Sequence, residues 1–240
     1  GGRLEAPTAP AADGAASTLR TLAGIEVDAH AYCQRGVVAY VQTERSHEDT
    51  AWQRFLPTGP LALLPCADGS CSIVWTLPDD EAERMLALDD EAFSREITHA
   101  FDARLGRIRP LSNRVAFPLR RQLAATQYEG RVLVIGDAAH AVHPLAGQGV
   151  NLGLRDVSAL QASVADARRR NIAWDGPQRL SRWARVRRSE NTVAAYAFDG
   201  INRLFSNDRV GETLLRGHLL GIAGRMPALV NGFWRRASGL

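Results

Sequence analysis

Short apolar runs separated by polar residues dominate the first half of the chain, a pattern typical of β-strands. Five runs predict strands there: 36–44, 51–57, 61–66, 71–77 and 113–119. We expect the second run to pair with the first. The third and fourth flank a loop containing Asp68-Gly69, which predicts a β-hairpin.

Helical periodicity dominates the second half. Residues 79–106 predict one earlier helix, with acidic residues at its start and a glycine at its end. Residues 149–170 and 177–198 predict two long helices, and two shorter ones follow at 208–222 and 226–236.

One strand does not fit this division. The run "RVLVI" at 131–135 is apolar enough to be buried on both faces, as in a parallel sheet. Such a strand needs parallel partners. Pro7 and Pro10 argue against a central strand near the N-terminus, so we expect no partner from the neighbouring sequence.

Composition narrows the class of protein. Among the 240 residues, 45% are hydrophobic and 23% charged, as in an ordinary globular protein. No apolar run approaches the ~20 residues of a membrane span, and no signal peptide is evident. The net charge is +3, but no motif typical of nucleic-acid binding occurs, so we expect no nucleic-acid partner.

Three cysteines, Cys33, Cys66 and Cys71, indicate free thiols in a reducing compartment, and therefore a cytoplasmic protein. Cys66 and Cys71 flank the predicted hairpin loop, so a disulfide between them is the alternative that we weigh against free thiols.

The residues after 131–135 carry the candidate chemistry. The strand ends at Gly136-Asp137, and ligands of α/β sheets bind beyond the carboxyl ends of strands. A carboxylate there can accept hydrogen bonds from the hydroxyls of a sugar or ribityl chain. Gly147 and Gly149 allow a flat ligand to approach the backbone, and a helix N-terminus follows. This pattern suits a planar ring with partial negative charge, such as the edge of a reduced flavin.

The segment after 131–135 has three other interpretations. A phosphate-binding G-x-G-x-x-G loop should follow the strand directly, and the glycines here begin eleven residues later. A metal site could use Asp137, His140 and His143, but no further ligand cluster accompanies them, so we predict no metal. A glycine-rich connection that binds nothing stays open.

The segment "GDAAHAVHPLAGQGVNLGLRD" (136–156) resembles the Gly-Asp signature of the class A flavin monooxygenases, the para-hydroxybenzoate-hydroxylase-like enzymes. Its part from His143 to Asp156 is similar to the ubiquinone-biosynthesis hydroxylases. "ADGAASTLR" (12–20) resembles the family's Asp-Gly motif, and "VAFPLRRQLA" (115–124) resembles the segment that returns to the FAD domain.

The resemblance implies a fold and a domain order. The fold is the α/β, partly α+β, FAD/NAD(P)-binding flavin monooxygenase fold in truncated form. The family's G-x-G-x-x-G strand is absent, so we expect that roughly the first 150–160 residues of a family member are missing, together with the partners of 131–135. The implied regions are a remnant of the FAD domain, a substrate-binding sheet with a helical insert, the flavin loop region and C-terminal helices: 1–20, 21–120, 121–170 and 171–240.

The resemblance also implies an activity for the full-length parent: hydroxylation of a prenylated phenol or quinol of ubiquinone biosynthesis by FAD, with O₂ and NAD(P)H. We expect this chain alone to be inactive. The implied cofactor-binding residues are Asp13, Gly14, Gly136, Asp137, Pro144, Gly147, Gln148, Gly149, Val150 and Asn151. Asp13 and Gly14 belong near the pyrophosphate and Asp137 on the ribityl chain. Pro144 and Gly147 belong beside the ring, and the backbone of 149–151 at its pyrimidine edge.

Catalytic groups are less defined. His143 is the one weak candidate; it could polarise a phenol, although we favour a role in capping its turn. The alternatives are a non-catalytic fragment, or another flavoprotein of this fold such as a halogenase or prenyl reductase, which Gln148 and Asn151 disfavour.

The expected partners begin with a prenylated aromatic small molecule. Residues 217–240 combine many apolar residues with Arg225, Arg235 and Arg236, as an interfacial helix does. Two interpretations stay open: a peripheral contact at the inner membrane, or packing against the protein body. A multi-enzyme biosynthetic complex is the remaining candidate partner.

Overall fold

The computed structural model describes residues 6, 8–142 and 148–205, without the side chains of 148 and 201–205. The elements in chain order are β1 (Ala9–Ala11), α1 (Thr18–Leu22), β2 (Val27–Thr43), β3 (Trp52–Leu56), β4 (Gly59–Pro65), β5 (Cys71–Pro78), α2 (Asp79–Ala87), α3 (Asp90–Ala100), β6 (Ile108–Pro110), β7 (Val115–Ala124), β8 (Tyr128–Glu129), β9 (Val132–Val134), a 3-10 turn (Gly136–Ala138), β10 (His140–Ala141), α4 (Gln148–Arg169) and α5 (Pro177–Phe205).

Two compact units divide these residues. The first contains 8–30, 120–142 and 148–200, and the second contains 31–119 and 201–205. Strands β2 and β7 each contribute residues to both units.

The second unit is built on an antiparallel sheet with the strand order β7-β2-β5-β4-β3, and β6 also pairs with β2. The predicted hairpin of β4 and β5 is confirmed, with Leu61 opposite Trp75. The expected pairing of 51–57 with the first strand is wrong. Strand β3 pairs with β4, the next strand along the chain, because β2 already pairs with β5 and β6. Cys66 and Cys71 at the hairpin end are free thiols.

Helices α2 and α3 cover one face of this sheet. The single helix predicted at 79–106 is wrong, because the backbone is extended at Leu88 and the Asp89 side chain begins a new helix by accepting a hydrogen bond from Ala92 N at 2.7 Å. The core between sheet and helices consists of apolar side chains, including Val37, Val41, Leu61, Leu63, Ile73, Trp75, Met85, Phe93 and Ile97.

The first unit contains the strand that lacked a predicted partner. Strand β9 pairs in parallel with β1, with Ala9 opposite Val132 and Ala11 opposite Val134, so the expectation that the parallel partners of this strand are missing from the chain is wrong for β1. Ala9 N donates to Arg131 O, and Ala11 O accepts from Ile135 N, so Pro10 needs no N–H on the β9 side. Proline is compatible with such a position at a sheet edge.

Helices α4 and α5 confirm the two long helices predicted from periodicity. Trp183, Leu180 and Ala184 of α5 pack with Leu133 of β9 in one buried cluster. The helices predicted at 208–222 and 226–236, and the segment 217–240, lie outside the described residues. In the part of the chain that the structure describes, no helix is long and apolar enough to cross a membrane.

Candidate functional site

Two loop motifs of the first unit meet at one edge of its sheet. Because β1 and β9 are parallel, their carboxyl ends lie side by side. Asp13-Gly14 follows the first and Gly136-Asp137 follows the second. Both glycines have the left-handed backbone that favours glycine, with φ of 85° and 58°. The structure therefore brings together two motifs that are more than a hundred residues apart in sequence, at the edge where α/β sheets bind ligands.

A buried arginine joins these two motifs. Arg20 of α1 donates from one terminal nitrogen to Ala138 O at 2.8 Å and from the other to Ala15 O at 3.0 Å. Gln122 Nε2 donates to the same Ala15 oxygen at 2.8 Å. The guanidinium thus fixes the loop after β1 against the turn after β9, since its planar donors constrain both carbonyls at once.

Asp13 organises its own loop. Its Oδ2 atom accepts hydrogen bonds from Thr18 N at 2.9 Å and Leu19 N at 3.3 Å. The hydrogen bond from the Ser17 side chain, together with these amides, holds the pKa of the Asp13 carboxyl below its ordinary value. Asp13 is therefore a carboxylate at neutral pH, and one of its oxygens is already engaged.

Asp137 differs from Asp13 in being uncommitted. It lies in the 3-10 turn between two neighbours, Gly136 and Ala138, of which the second is fully buried. The Asp137 side chain itself is exposed, and no hydrogen bond from the described residues reaches its carboxylate. It is an open acceptor at the carboxyl end of a strand, the arrangement that ligand hydroxyls require.

The N-terminus of α4 lies beside the same turn. A Cβ atom added at Gly153 would be only 3.2 Å from Gly136 Cα, so the helix crosses the turn more closely than residues with a side chain usually do. One helical turn earlier, Gly149 and Asn151 are partly buried and Val150 is 72% exposed. The backbone N–H groups of this first turn carry the positive end of the helix dipole.

A buried carboxylate further along α4 holds the assembly together. Asp156 is fully buried, and its Oδ2 accepts from Gly136 N at 3.1 Å and from His140 Nε2 at 2.6 Å. Its Oδ1 accepts from Arg187 Nε at 2.8 Å and from Asn191 Nδ2 at 3.1 Å. Burial alone raises the pKa of Asp156, but the hydrogen bonds from His140, Arg187 and Asn191 outweigh it and keep the pKa below its ordinary value.

The network extends from this carboxylate back to strand β9. Arg187 also donates to Asn191 Oδ1 at 3.0 Å and contacts Glu190. Asn191 Nδ2 donates to Gln127 Oε1 at 3.2 Å, and Gln127 Nε2 donates to Val134 O at 3.1 Å. Helix α5 is thereby connected to the strand, the turn and helix α4.

Several predicted residues cannot be placed. His143, Pro144 and Gly147 lie outside the described residues, and Gln148 is described only as the first residue of α4. Of the metal set weighed from sequence, His140 is committed to Asp156. Among the described residues, no group of three His, Cys, Asp or Glu side chains could hold a metal ion.

Sequence reasoning gave no role to the buried network. Asp156 is only the last residue of the predicted motif, and Arg187, Asn191 and Gln127 lie outside that motif. A signal existed: Gly153 and Asp156 are three residues apart and Arg187 and Asn191 four apart, which places each pair on one helix face.

Comparison with known proteins agrees with this geometry. A family model described as the FAD binding domain matches residues 2–175. The chain is 39% identical over 228 residues to ubiquinone hydroxylase UbiL of Rhodospirillum rubrum, which covers 95% of the chain and 53% of that protein. It is 37% identical over 229 residues to 3-demethoxyubiquinol 3-hydroxylase of Escherichia coli, which covers 95% of the chain and 58% of that protein. The chain thus spans little more than half the length of these relatives.

Solved structures confirm the predicted fold. The p-nitrophenol 4-monooxygenase PnpA from Pseudomonas putida superposes with a TM-score of 0.73 at 18% identity, over 96% of this chain and 59% of that chain. PqsL from Pseudomonas aeruginosa, described as a probable FAD-dependent monooxygenase, gives a TM-score of 0.68 at 23% identity, over 84% and 57%.

Proposed function

This chain belongs to the FAD-binding-domain family and resembles its ubiquinone-biosynthesis hydroxylases, and we propose that it is part of an FAD-dependent aromatic-ring hydroxylase. The proposed substrate is a prenylated phenol or quinol of ubiquinone biosynthesis, with O₂ as oxidant and NAD(P)H as reductant. One observation carries the proposal: the Asp-Gly and Gly-Asp turns lie together at the carboxyl ends of two parallel strands, beside the N-terminus of α4.

The residues present fit a flavin. The open carboxylate of Asp137 suits the hydroxyls of the ribityl chain. Gly14 and Gly136 supply side-chain-free backbone in left-handed conformations, which suits close approach to the cofactor. A bound FAD would supply the redox chemistry, namely the oxidation of NAD(P)H and the activation of O₂.

The chain's own contribution is to orient the cofactor and stabilise charge. In this proposal, the backbone of Gly149, Val150 and Asn151 would hold the pyrimidine edge of the ring and stabilise the negative charge of the reduced flavin. Pro144, Gly147 and Gln148 complete the surface beside the ring.

The finer assignments belong to the same proposal. Residues 1–20 and 121–170 form the FAD-binding part, 21–120 the substrate-binding part and 171–240 the closing helices. The apolar and arginine-rich composition of 217–240 supports peripheral contact with the cytoplasmic face of the inner membrane. It also supports, less directly, assembly with other enzymes of the pathway.

Flavin binding tests the first half of the proposal. The protein is titrated with FAD, desalted, and its visible spectrum recorded. Asp137→Ala should weaken FAD binding by about tenfold, the equivalent of one charged hydrogen bond. Glu129→Ala is the matched control, because Glu129 is an exposed acid that pairs with Val132 at the amino end of the same strand. Protein that keeps no flavin after desalting contradicts the proposal.

Product analysis tests the second half. The full-length parent, loaded with flavin, is incubated with a prenylated phenol, NAD(P)H and O₂, and the products are separated by mass. A product heavier by one oxygen, labelled when ¹⁸O₂ is used, is expected. If flavin binds and no oxygen is transferred, the protein is a flavoprotein with a different reaction.

A further inference from the structure

We propose that Asp156 is a positioning residue for the flavin site, and that Arg187 and Asn191 make helix α5 part of the same device. This inference rests on the proposed function. It adds that the orientation of the α4 N-terminus toward the cofactor is set by a buried polar network.

The hydrogen bonds of Asp156 define where it can lie. Its four partners come from three places: Gly136 from the turn, His140 from β10, and Arg187 and Asn191 from α5. Each oxygen accepts two hydrogen bonds, so the carboxylate can neither rotate nor shift without losing one. Because an ionised carboxylate only accepts, His140 carries its hydrogen on Nε2.

A second contact acts on the same helix and the same turn. Gly153, one helical turn before Asp156, lies where a side chain would press on Gly136 Cα. Gly136 is thus held by an attractive hydrogen bond from its own N–H to Asp156 and limited by close packing against Gly153. Two contacts on one helix face fix both the distance and the rotation of α4 relative to the turn.

Such a network serves geometry better than stability. Burying a carboxylate and an arginine costs desolvation free energy, and the attraction between the two charges is about as large as that cost. Well-packed apolar residues therefore often give equal stability. What the polar network provides is directionality. Arg187 donates to three different side chains, so it ties the position of α5 to Asp156 through several bonds at once.

The consequence for the cofactor follows from the helix dipole. The backbone N–H groups of Gly149 and Val150 would stabilise negative charge on the reduced ring only if the helix points at it. A change at Asp156 lets α4 turn away from Gly136. The flavin should then bind more weakly and have a more negative reduction potential, since the reduced form loses stabilisation.

The test compares Asp156→Asn with Asp166→Asn in the flavin-loaded protein. Asparagine keeps the shape but presents an NH₂ group to one of the two donor pairs. Asp166 is the matched control: it is on the same helix and also binds an arginine of α5, Arg179, at 3.2 Å, but it does not contact the turn. FAD affinity, reduction potential and the visible flavin spectrum are measured for both.

We expect Asp156→Asn to weaken FAD binding by about 10- to 100-fold, as for one or two charged hydrogen bonds, to lower the potential and to shift the flavin bands. Asp166→Asn should change affinity by less than about twofold, because a surface ion pair contributes little. Equal behaviour of the two variants overturns the inference while wild-type flavin binding leaves the proposed function intact. Loss of flavin from the wild type contradicts the proposed function itself.

Arg187→Lys covers the case in which Asp156→Asn does not fold. Lysine keeps the charge but cannot reach Asp156, Glu190 and Asn191 together. We expect Arg187→Lys to keep the circular dichroism spectrum of the wild type. We expect its bound flavin to have a reduction potential below that of the wild type. A potential identical to that of the wild type overturns the role given to α5.

Discussion

The close approach of α4 to the Gly-Asp turn predicts that alanine at Gly153 has two opposing effects on stability: it favours the helix and it crowds the turn. Gly153→Ala and Gly200→Ala both replace a glycine inside a helix by alanine, which favours the helix by about 1 kcal/mol. At Gly200 in α5 an added Cβ meets nothing within 4 Å. At Gly153 it lies 3.2 Å from Gly136 Cα, a backbone atom that cannot rotate away.

The two substitutions should therefore differ by the cost of that contact. Overpacking against an unyielding neighbour costs about 1–3 kcal/mol. Gly200→Ala should raise the free energy of unfolding by about 1 kcal/mol, whereas Gly153→Ala should change it by about 0 to −2 kcal/mol. For a chain of this size each kcal/mol moves Tm by about 2–4 °C.

Urea unfolding followed by circular dichroism gives both free energies, and FAD titration gives a second measure. Gly153→Ala should also weaken flavin binding, because α4 must move away from the turn, while Gly200→Ala should leave it unchanged. If the two variants are equally stable and bind flavin equally well, α4 does not pack on Gly136 as described.

The remaining predictions concern Arg20, Asp156 and Pro10. Arg20→Met should lower the free energy of unfolding by about 3 kcal/mol, because two charged hydrogen bonds are lost; Arg120→Met at an exposed position is the control, and equal losses in urea would contradict the buried link. The pKa of Asp156 is lower in the folded protein than its ordinary 3.8, so its stabilisation is present above that value and disappears as the pH falls below it. The stability difference between wild type and Asp156→Asn should therefore narrow in acid titrations below about pH 4, and a difference that grows there would contradict the sign. Pro10→Ala should change stability by less than about 0.5 kcal/mol in the same urea assay, since no hydrogen bond to β9 uses that nitrogen; a large gain would show that the proline strains the strand.

Sequence patterns located the site because its elements are local. The apolar run before Gly136, the Gly-Asp pair and the start of a helix near 149 are contiguous signals, and the structure places the described ones together. The roles given to individual cofactor-binding residues remain proposals.

The features that the sequence did not predict depend on the direction in which a backbone group points, or on contacts between residues far apart in sequence. The rule against proline in strands is a rule about the N–H group, and only the structure shows which side of β1 the Pro10 nitrogen faces. The break between α2 and α3 has no glycine or proline to mark it, only the capping carboxylate of Asp89. The partners of Asp156 lie 16 to 35 residues away, beyond the reach of any local pattern.

The saturated carboxylate of Asp156 also constrains how this protein can change over evolutionary time. Each of its side-chain donors faces a fully buried acceptor, so replacing His140, Arg187 or Asn191 alone removes a hydrogen bond that stabilises the buried charge. Neutral drift at these positions must pass through paired substitutions. Descendants of this sequence should therefore either inherit the four residues as one block or replace them together.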